Sequence, residues 1–236
     1  MLNRRLFCGC VSFALFAGAT AGSARAEPAE CAVFTPDRQK HTSPDEAIAR
    51  LKAGNDRFVA GATVNCDLMA QVRETAKAQA PFAAIVGCID SRVPPELVFD
   101  QRIGDVFCAR IAGNFVNDDI IGSLEFATQV AGARAIVVLG HSSCGAVMGA
   151  IDGVKLGHLT GALAHIQPAV SATKAEGKPS SKNDAFVQAV AETNARMAAA
   201  DLTKRSTILK ALAEKGELRT VAAMHDLATG RVKWLS

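Results

Sequence analysis

The sequence predicts an α/β fold: an open, mostly parallel β-sheet flanked by helices, with an amino-terminal helical arm and a carboxy-terminal hairpin. Three observations predict it. Two apolar runs, Ile85-Val86-Gly87 and Ala135-Ile136-Val137-Val138-Leu139-Gly140, show no polar alternation and are bounded by Gly and polar residues, as strands buried on both faces are. Helical patterns stand between the strand patterns, which favours parallel pairing. Both runs end in chemically capable groups, Cys88-Ile89-Asp90-Ser91-Arg92 after the first and His141-Ser142-Ser143-Cys144-Gly145 after the second. In open α/β sheets such groups collect just past the carboxyl ends of the strands.

In chain order, residues 1–26 read as a cleaved export signal. Arg4-Arg5 precedes an apolar stretch from about Leu6 to Ala19, and Ala24-Arg25-Ala26 fits a small-x-small cleavage site. The stretch is short and rich in Gly and Ala for a span of about 20 residues, so a periplasmic or secreted protein is expected, without a membrane anchor after cleavage. The paired arginines resemble the twin-arginine class. Removing 26 of 236 residues leaves 210, enough for one well-buried domain. Arg4, Arg5 and Arg25 leave with no acids, so the net charge falls from +3 to 0. That balance argues against a nucleic-acid partner, which needs a basic patch.

Residues 27–42 carry proline and charge without periodicity and predict an irregular arm; 43–236 are expected to form one domain. Ser43-Pro44-Asp45-Glu46 is a capping box opening an amphipathic helix through Ala47, Leu51 and Phe58. A second helix is expected over Met69–Gln79, then a strand over 82–89, a turn at Val93-Pro94-Pro95 and a strand over 105–111. Asn117–Ala131 reads as a helix with Ile120, Leu124, Phe126 and Ala127 on the buried side. A strand over 135–139 leads to a helix starting at Cys144. The chain is then helical from Leu156 to Lys215, interrupted at Gly177-Lys178-Pro179-Ser180-Ser181. Two strands, Arg219–His225 and Arg231–Leu235, flank the hairpin turn Asp226–Gly230.

Cys88, His141 and Cys144 converge at one sheet edge in this reading. Two soft thiolates and an imidazole make a zinc set with a fourth tetrahedral position open. His141 and Cys144 share the spacing of one side of a helical turn, and a thiolate at a helix start is favoured by unpaired amides. Taken alone, His-x-x-Cys reads as a half-buried histidine and a structural cysteine, and Cys-x-Asp-Ser-Arg as a polar strand end; together they favour a metal. Cys8 and Cys10 belong to the signal. Cys31 and Cys66 are candidates for a disulfide across the arm, a pairing the sequence leaves open. Cys108 reads as a small core residue.

Cys88-x-Asp90-x-Arg92 with His141-x-x-Cys144 resembles the zinc signature of the β-class carbonic anhydrases. Further matches in the family's order are Gly54-Asn55-x-Arg57-Phe58, Gly104-Asp105-Val106-Phe107, Ala112-Gly113-Asn114 and Ser123-Leu124-Glu125-Phe126-Ala127. The resemblance implies the β-carbonic anhydrase fold and reversible hydration of carbon dioxide to bicarbonate and a proton. It places one Zn²⁺ per subunit on Cys88, His141 and Cys144, with zinc-bound hydroxide as nucleophile. Asp90 would orient the hydroxide while Arg92 restrains Asp90; at low pH Asp90 would instead close the site as fourth ligand. Gln79, Phe107, Phe126 and the Gly145 amide would form the substrate pocket, partly across a homodimer or a higher even oligomer. His158, His165 and His225 are candidate proton carriers or else ordinary surface or core histidines, and Glu125 and Arg110 are candidate pocket groups or equally interface ion pairs.

The chain departs from the family in having no tyrosine: Phe126 and His225 stand where Tyr is frequent, and Ile111 replaces a frequent Asn. The metal ligands and the Asp-Arg pair are untouched. Two rival readings remain, hydrolysis of carbon disulfide or carbonyl sulfide on the same scaffold and a closed, non-catalytic zinc module. A serine hydrolase fails on spacing, because Cys144 occupies the last glycine of G-x-S-x-G.

Overall fold

The computed structural model describes residues 28–174 and 179–235. The expected signal over 1–26, and Gly177-Lys178 of the predicted loop, lie outside the described residues.

The arm over 27–42 is more regular than its sequence suggests. Ala29–Cys31 forms a 3-10 turn, and a short helix α1 (Pro36–His41) starts behind Thr35, whose hydroxyl accepts the Arg38 amide. Six residues are too few to display a hydrophobic period, which is why this helix leaves no sequence signal. Two side chains tie the arm down. Buried Gln39 donates through Nε2 to the carbonyls of Pro81 (2.6 Å) and Ala131 (2.7 Å), and Cys31 is disulfide-bonded to Cys66.

Helix α2 (Pro44–Val59) opens with the expected capping box, Ser43 and Glu46 each satisfying the other's amide, and buries Ala47, Ile48 and Leu51. Helix α3 (Leu68–Thr75) is capped by Asp67 and stops short of Gln79. Strand β1 (Ala83–Gly87) follows. The proline turn continues into one helical turn, α4 (Pro95–Val98), with Pro95 in its first position. Then come β2 (Val106–Arg110), α5 (Asp118–Glu125) and a wider π-type turn over Phe126–Val130. Strand β3 (Ala135–His141) leads through Cys144 into α6 (Gly145–Ile151). After α7 (Leu159–Ala164), α8 (Gln167–Ala172), α9 (Asp184–Arg205) and α10 (Thr207–Glu214), the chain closes with β4 (Arg219–His225) and β5 (Val232–Leu235).

The sheet order is β2-β1-β3-β4-β5, parallel except for the antiparallel β4–β5 hairpin. Alternate residues divide the core between the two faces. Ala84, Val86, Ile136 and Val138 pack with α5, α6 and α9; Ala83, Ile85, Val137 and Leu139 pack with α2 and α4. From β1 the chain turns to β2 on one side and then returns to β3 on the other. The carboxyl ends of β1 and β3 therefore flank a topological switch point, the place where such sheets hold their ligands.

Phe126 is a correction to the expected buried face. It is 49% exposed, whereas Ile121, Leu124 and Ala127 are buried. These three recur every third residue along one helix side, and Phe126 stands about 200° round from Leu124, so it points outward. Among the described residues no helix is long and apolar enough to cross a membrane.

Candidate metal centre

Cys88 follows β1, His141 ends β3, and Cys144 caps α6. Their donor atoms all lie within 4.8 Å of one another, and all three residues are buried, His141 completely. Because β1 and β3 are adjacent and in register, Gly87 opposite Leu139, the two chain ends emerge side by side. Ser143 takes a left-handed conformation (φ 51°), folding Cys144 back toward His141.

The surroundings prepare each donor. His141 Nδ1–H donates to the Ser142 carbonyl (2.9 Å), which leaves the lone pair on Nε2. That Nε2 is buried and has no hydrogen-bond partner in the protein. A buried unpaired nitrogen is costly, and a metal ion would satisfy it. Ser142 is itself fixed: its amide donates to the His225 carbonyl (3.0 Å) and its hydroxyl accepts the Leu227 amide (2.9 Å).

Cys88 Sγ accepts the Gly113 amide at 3.3 Å. Its thiol is pulled well below the ordinary range, chiefly by the hydrogen bond from Cys144, with His141 and the Gly113 amide adding to this against the opposing effect of burial. Cys144 is pushed up by the same pairing and by burial. Both sulfurs would have to be deprotonated to ligate a divalent ion. The donor set and its environment fit zinc.

Arg92 grips Asp90 with two parallel bonds, Nε to Oδ1 at 2.9 Å and Nη2 to Oδ2 at 2.7 Å, and its amide adds a third at 3.0 Å. The Arg92 hydrogen bonds hold the Asp90 carboxyl well below the usual carboxylate range. Asp90 Oδ2 stands 3.9 Å from His141 Nε2. Arg110 braces the same turn, donating to the carbonyls of Cys88 (2.9 Å) and Asp90 (2.6 Å). Both it and Glu125, which accepts the Ser206 hydroxyl at 2.6 Å, are therefore engaged within the chain.

The expected pocket residues divide. Gly145 adjoins Cys144 and faces open space. Phe107 and Phe126 meet edge to face at 6.3 Å and line an 820 Å³ groove beside β2, together with Gly122 and Ala127. None of the three metal donors lines that groove. Gln79 is exposed before the amino end of β1, whereas Cys88 follows its carboxyl end, so one chain does not bring the two together.

Of the candidate proton carriers, His158 and His165 are exposed, and His165 stacks on Phe115 at 4.4 Å. His225 pairs with His141 in the β3–β4 register, is buried, and is held below the ordinary imidazole range by that burial first and by His141 second. Burial pushes the Cys108 thiol up, consistent with a packing residue. The bracing by Ser142, Arg110 and the Gly113 amide left no distinct ligand signal in the sequence, since backbone partners have no residue-type signature.

A family model described as "Carbonic anhydrase" matches residues 83–232. The chain is 37% identical over 198 residues to "Carbonic anhydrase 2" of Mycobacterium tuberculosis, covering 81% of this chain and 92% of that protein. Among solved structures it is similar to the β-carbonic anhydrase CafA of Aspergillus fumigatus (TM-score 0.62, 26% identity, 71% of this chain and 81% of that one). It is also similar to one described among two tetrameric β-carbonic anhydrases of Sordaria macrospora (TM-score 0.59, 27% identity, 71% and 90%).

Proposed function

The chain belongs to the carbonic anhydrase family, in its β class, and from that premise we propose that it catalyses the reversible hydration of carbon dioxide to bicarbonate and a proton. Cys88, His141 and Cys144 would hold one Zn²⁺ per subunit. When bound, zinc supplies the nucleophile by lowering the pKa of a water to about 7. The observation that carries the reading is the buried, unpartnered His141 Nε2 lying within 4.8 Å of two thiol sulfurs, with the Asp90 carboxylate 3.9 Å away.

Asp90 acts as an acceptor. Its Oδ2 would accept the hydrogen bond of the nucleophile's O–H and so orient it toward the substrate. Arg92 keeps that carboxylate ionised and in place through its paired, charge-assisted bonds. Arg110 holds the backbone on either side of Ile89, so that Cys88 and Asp90 are positioned as one unit. Gly145 leaves room for the substrate beside Cys144, and its amide is the donor proposed for a bicarbonate oxygen.

A second copy of the chain would supply the remaining pocket groups. Gln79 lies at the wrong end of its own sheet, β2 offers an open edge, and Phe126 and Phe107 line an exposed groove beside that edge. A homodimer or higher even oligomer, with Gln79, Phe107 and Phe126 contributing across the contact, fits these placements. Export is supported by the Arg4-Arg5 segment and by the Cys31–Cys66 disulfide, which suits an oxidising compartment.

Metal analysis with stopped-flow carbon dioxide hydration tests the reading, with carbon disulfide and carbonyl sulfide assayed in parallel. One zinc per chain and turnover of carbon dioxide are expected, and Cys144→Ser should lose both. Preferential turnover of a sulfur substrate would move the assignment to the hydrolase reading. A zinc-loaded protein without turnover would make it a closed site.

A further inference from the structure

We propose that Asn194, in the middle of α9, is a positioning residue for the zinc ligand Cys88, acting through Gly113; this rests on the zinc reading above. Asn194 is 4% exposed, in a helix whose neighbouring buried positions are Ala191, Ala195 and Ala198. A polar amide inside an alanine-lined helix face is unfavourable unless it is bonded. Its Nδ2 donates to the carbonyl of Gly113 at 2.8 Å, bridging 81 positions of sequence.

Gly113 is a position that only glycine fits. It takes a left-handed conformation (φ 82°), and an added Cβ would stand 2.5 Å from Ile166 Cδ1 and 3.2 Å from Ala146 Cβ. With its carbonyl held by Asn194, its N–H donates to Cys88 Sγ, 3.3 Å away. The path is continuous: α9 amide, Gly113 carbonyl, Gly113 amide, ligand sulfur. The alanines of α9 allow close approach to β3, where a Cβ added at Gly140, next to His141, would lie 3.5 Å from Ala195 Cβ. Hydrogen bonds of this outer kind orient metal ligands and tune their donor strength.

The test compares wild type, Asn194→Leu and Thr193→Val as full-length zinc protein. Thr193→Val removes a neighbouring α8–α9 bond, Thr173 to Thr193 at 3.0 Å, that does not lead to the metal. Zinc affinity is read by chelator competition, and the sulfur-to-cobalt charge-transfer band by cobalt substitution. Asn194→Leu is expected to lose about 10–100-fold in zinc affinity and to shift the band to longer wavelength, as expected for a thiolate deprived of a hydrogen bond. Thr193→Val should change neither. Wild-type affinity and band in Asn194→Leu, or equal changes in both variants, would overturn the proposal.

Should Asn194→Leu fail to fold, Asn194→Ser loaded with cadmium-113 is compared with wild type. Weaker scalar coupling between the metal and the Gly113 amide proton in the variant supports the path, and equal coupling, or none in wild type, overturns it. A wild type that binds no metal refutes the zinc reading itself, a distinct outcome.

Discussion

Arg92 and Asp90 are joined by a two-pronged hydrogen bond, Nε to Oδ1 at 2.9 Å and Nη2 to Oδ2 at 2.7 Å, between residues only two apart in sequence. The arginine is exposed and the aspartate largely covered, so the pair resembles a handle on a carboxylate that faces His141 of the candidate metal centre. Asp90→Asn keeps the shape but loses the anion, and a fall of about 10²-fold or more in kcat/KM is expected. Arg92→Lys cannot reproduce the fork and should fall between wild type and Asp90→Asn. Full activity in Asp90→Asn, measured by stopped flow, would contradict the role given to the carboxylate.

The pH profile follows from the same pair. Arg92 keeps Asp90 ionised throughout the neutral range, so the aspartate does not itself set the acid limb. A rise in kcat/KM from acid to base is expected, reporting a zinc-site water with pKa about 7. It also covers opening of any Asp90-closed form, since an anionic ligand competes less well as that water ionises. A flat profile from about pH 6 to 9 would contradict both.

Asp100 makes a prediction about stability rather than turnover. It is 5% exposed and takes bonds from Arg57 Nε (2.5 Å) and Arg102 Nη1 (2.9 Å). Burial raises its pKa, but Arg102 and Arg57 outweigh that and leave it lowered. Its stabilisation is therefore present above the unfolded aspartate value of about 3.9 and is lost as pH falls through the lower folded value. Asp100 sits in the left-handed region (φ 47°), which asparagine also tolerates, so Asp100→Asn isolates the charge. A loss of stability in denaturant unfolding at pH 7 is expected, with the gap to wild type narrowing as pH falls through the lowered folded value.

The Cys31–Cys66 disulfide closes the arm onto the segment preceding α3. Paired serine substitutions should cost about 2–4 kcal/mol and lower Tm by about 2–4 °C for each kcal/mol. The cross-link precedes the amino end of β1 in the chain, away from Cys88, so zinc content and kcat are expected to hold. Thermal melts with parallel metal analysis check this. Zinc loss tracking the serine substitutions would show that the arm reaches the metal centre.

The candidate site was readable wherever a residue's chemistry and its neighbours in sequence sufficed. Cys88, His141 and Cys144 each stand at the end of a buried strand or the start of a helix, and such ends are marked by an apolar run meeting a polar group. The Asp90–Arg92 contact spans two residues. Gln39 and Asn194 were silent for the opposite reason: an isolated amide in a helical stretch carries no period, and its partners lie 42 to 92 positions away in one case and 81 in the other. Phe126 was misread because an aromatic residue suggests burial whichever side of the helix it occupies. The arm was misread because one and a half helical turns are too short to show a pattern.

By itself the sequence determined which atoms are available to a metal and which strands carry them, because donor type and strand burial are local properties. Only the tertiary structure decided that β1 and β3 lie side by side, that Gly113 turns its amide onto Cys88, and that Gln79 faces away from its own chain's site. Those relationships depend on which distant segments pack together, a choice made by the whole core and not by any one stretch.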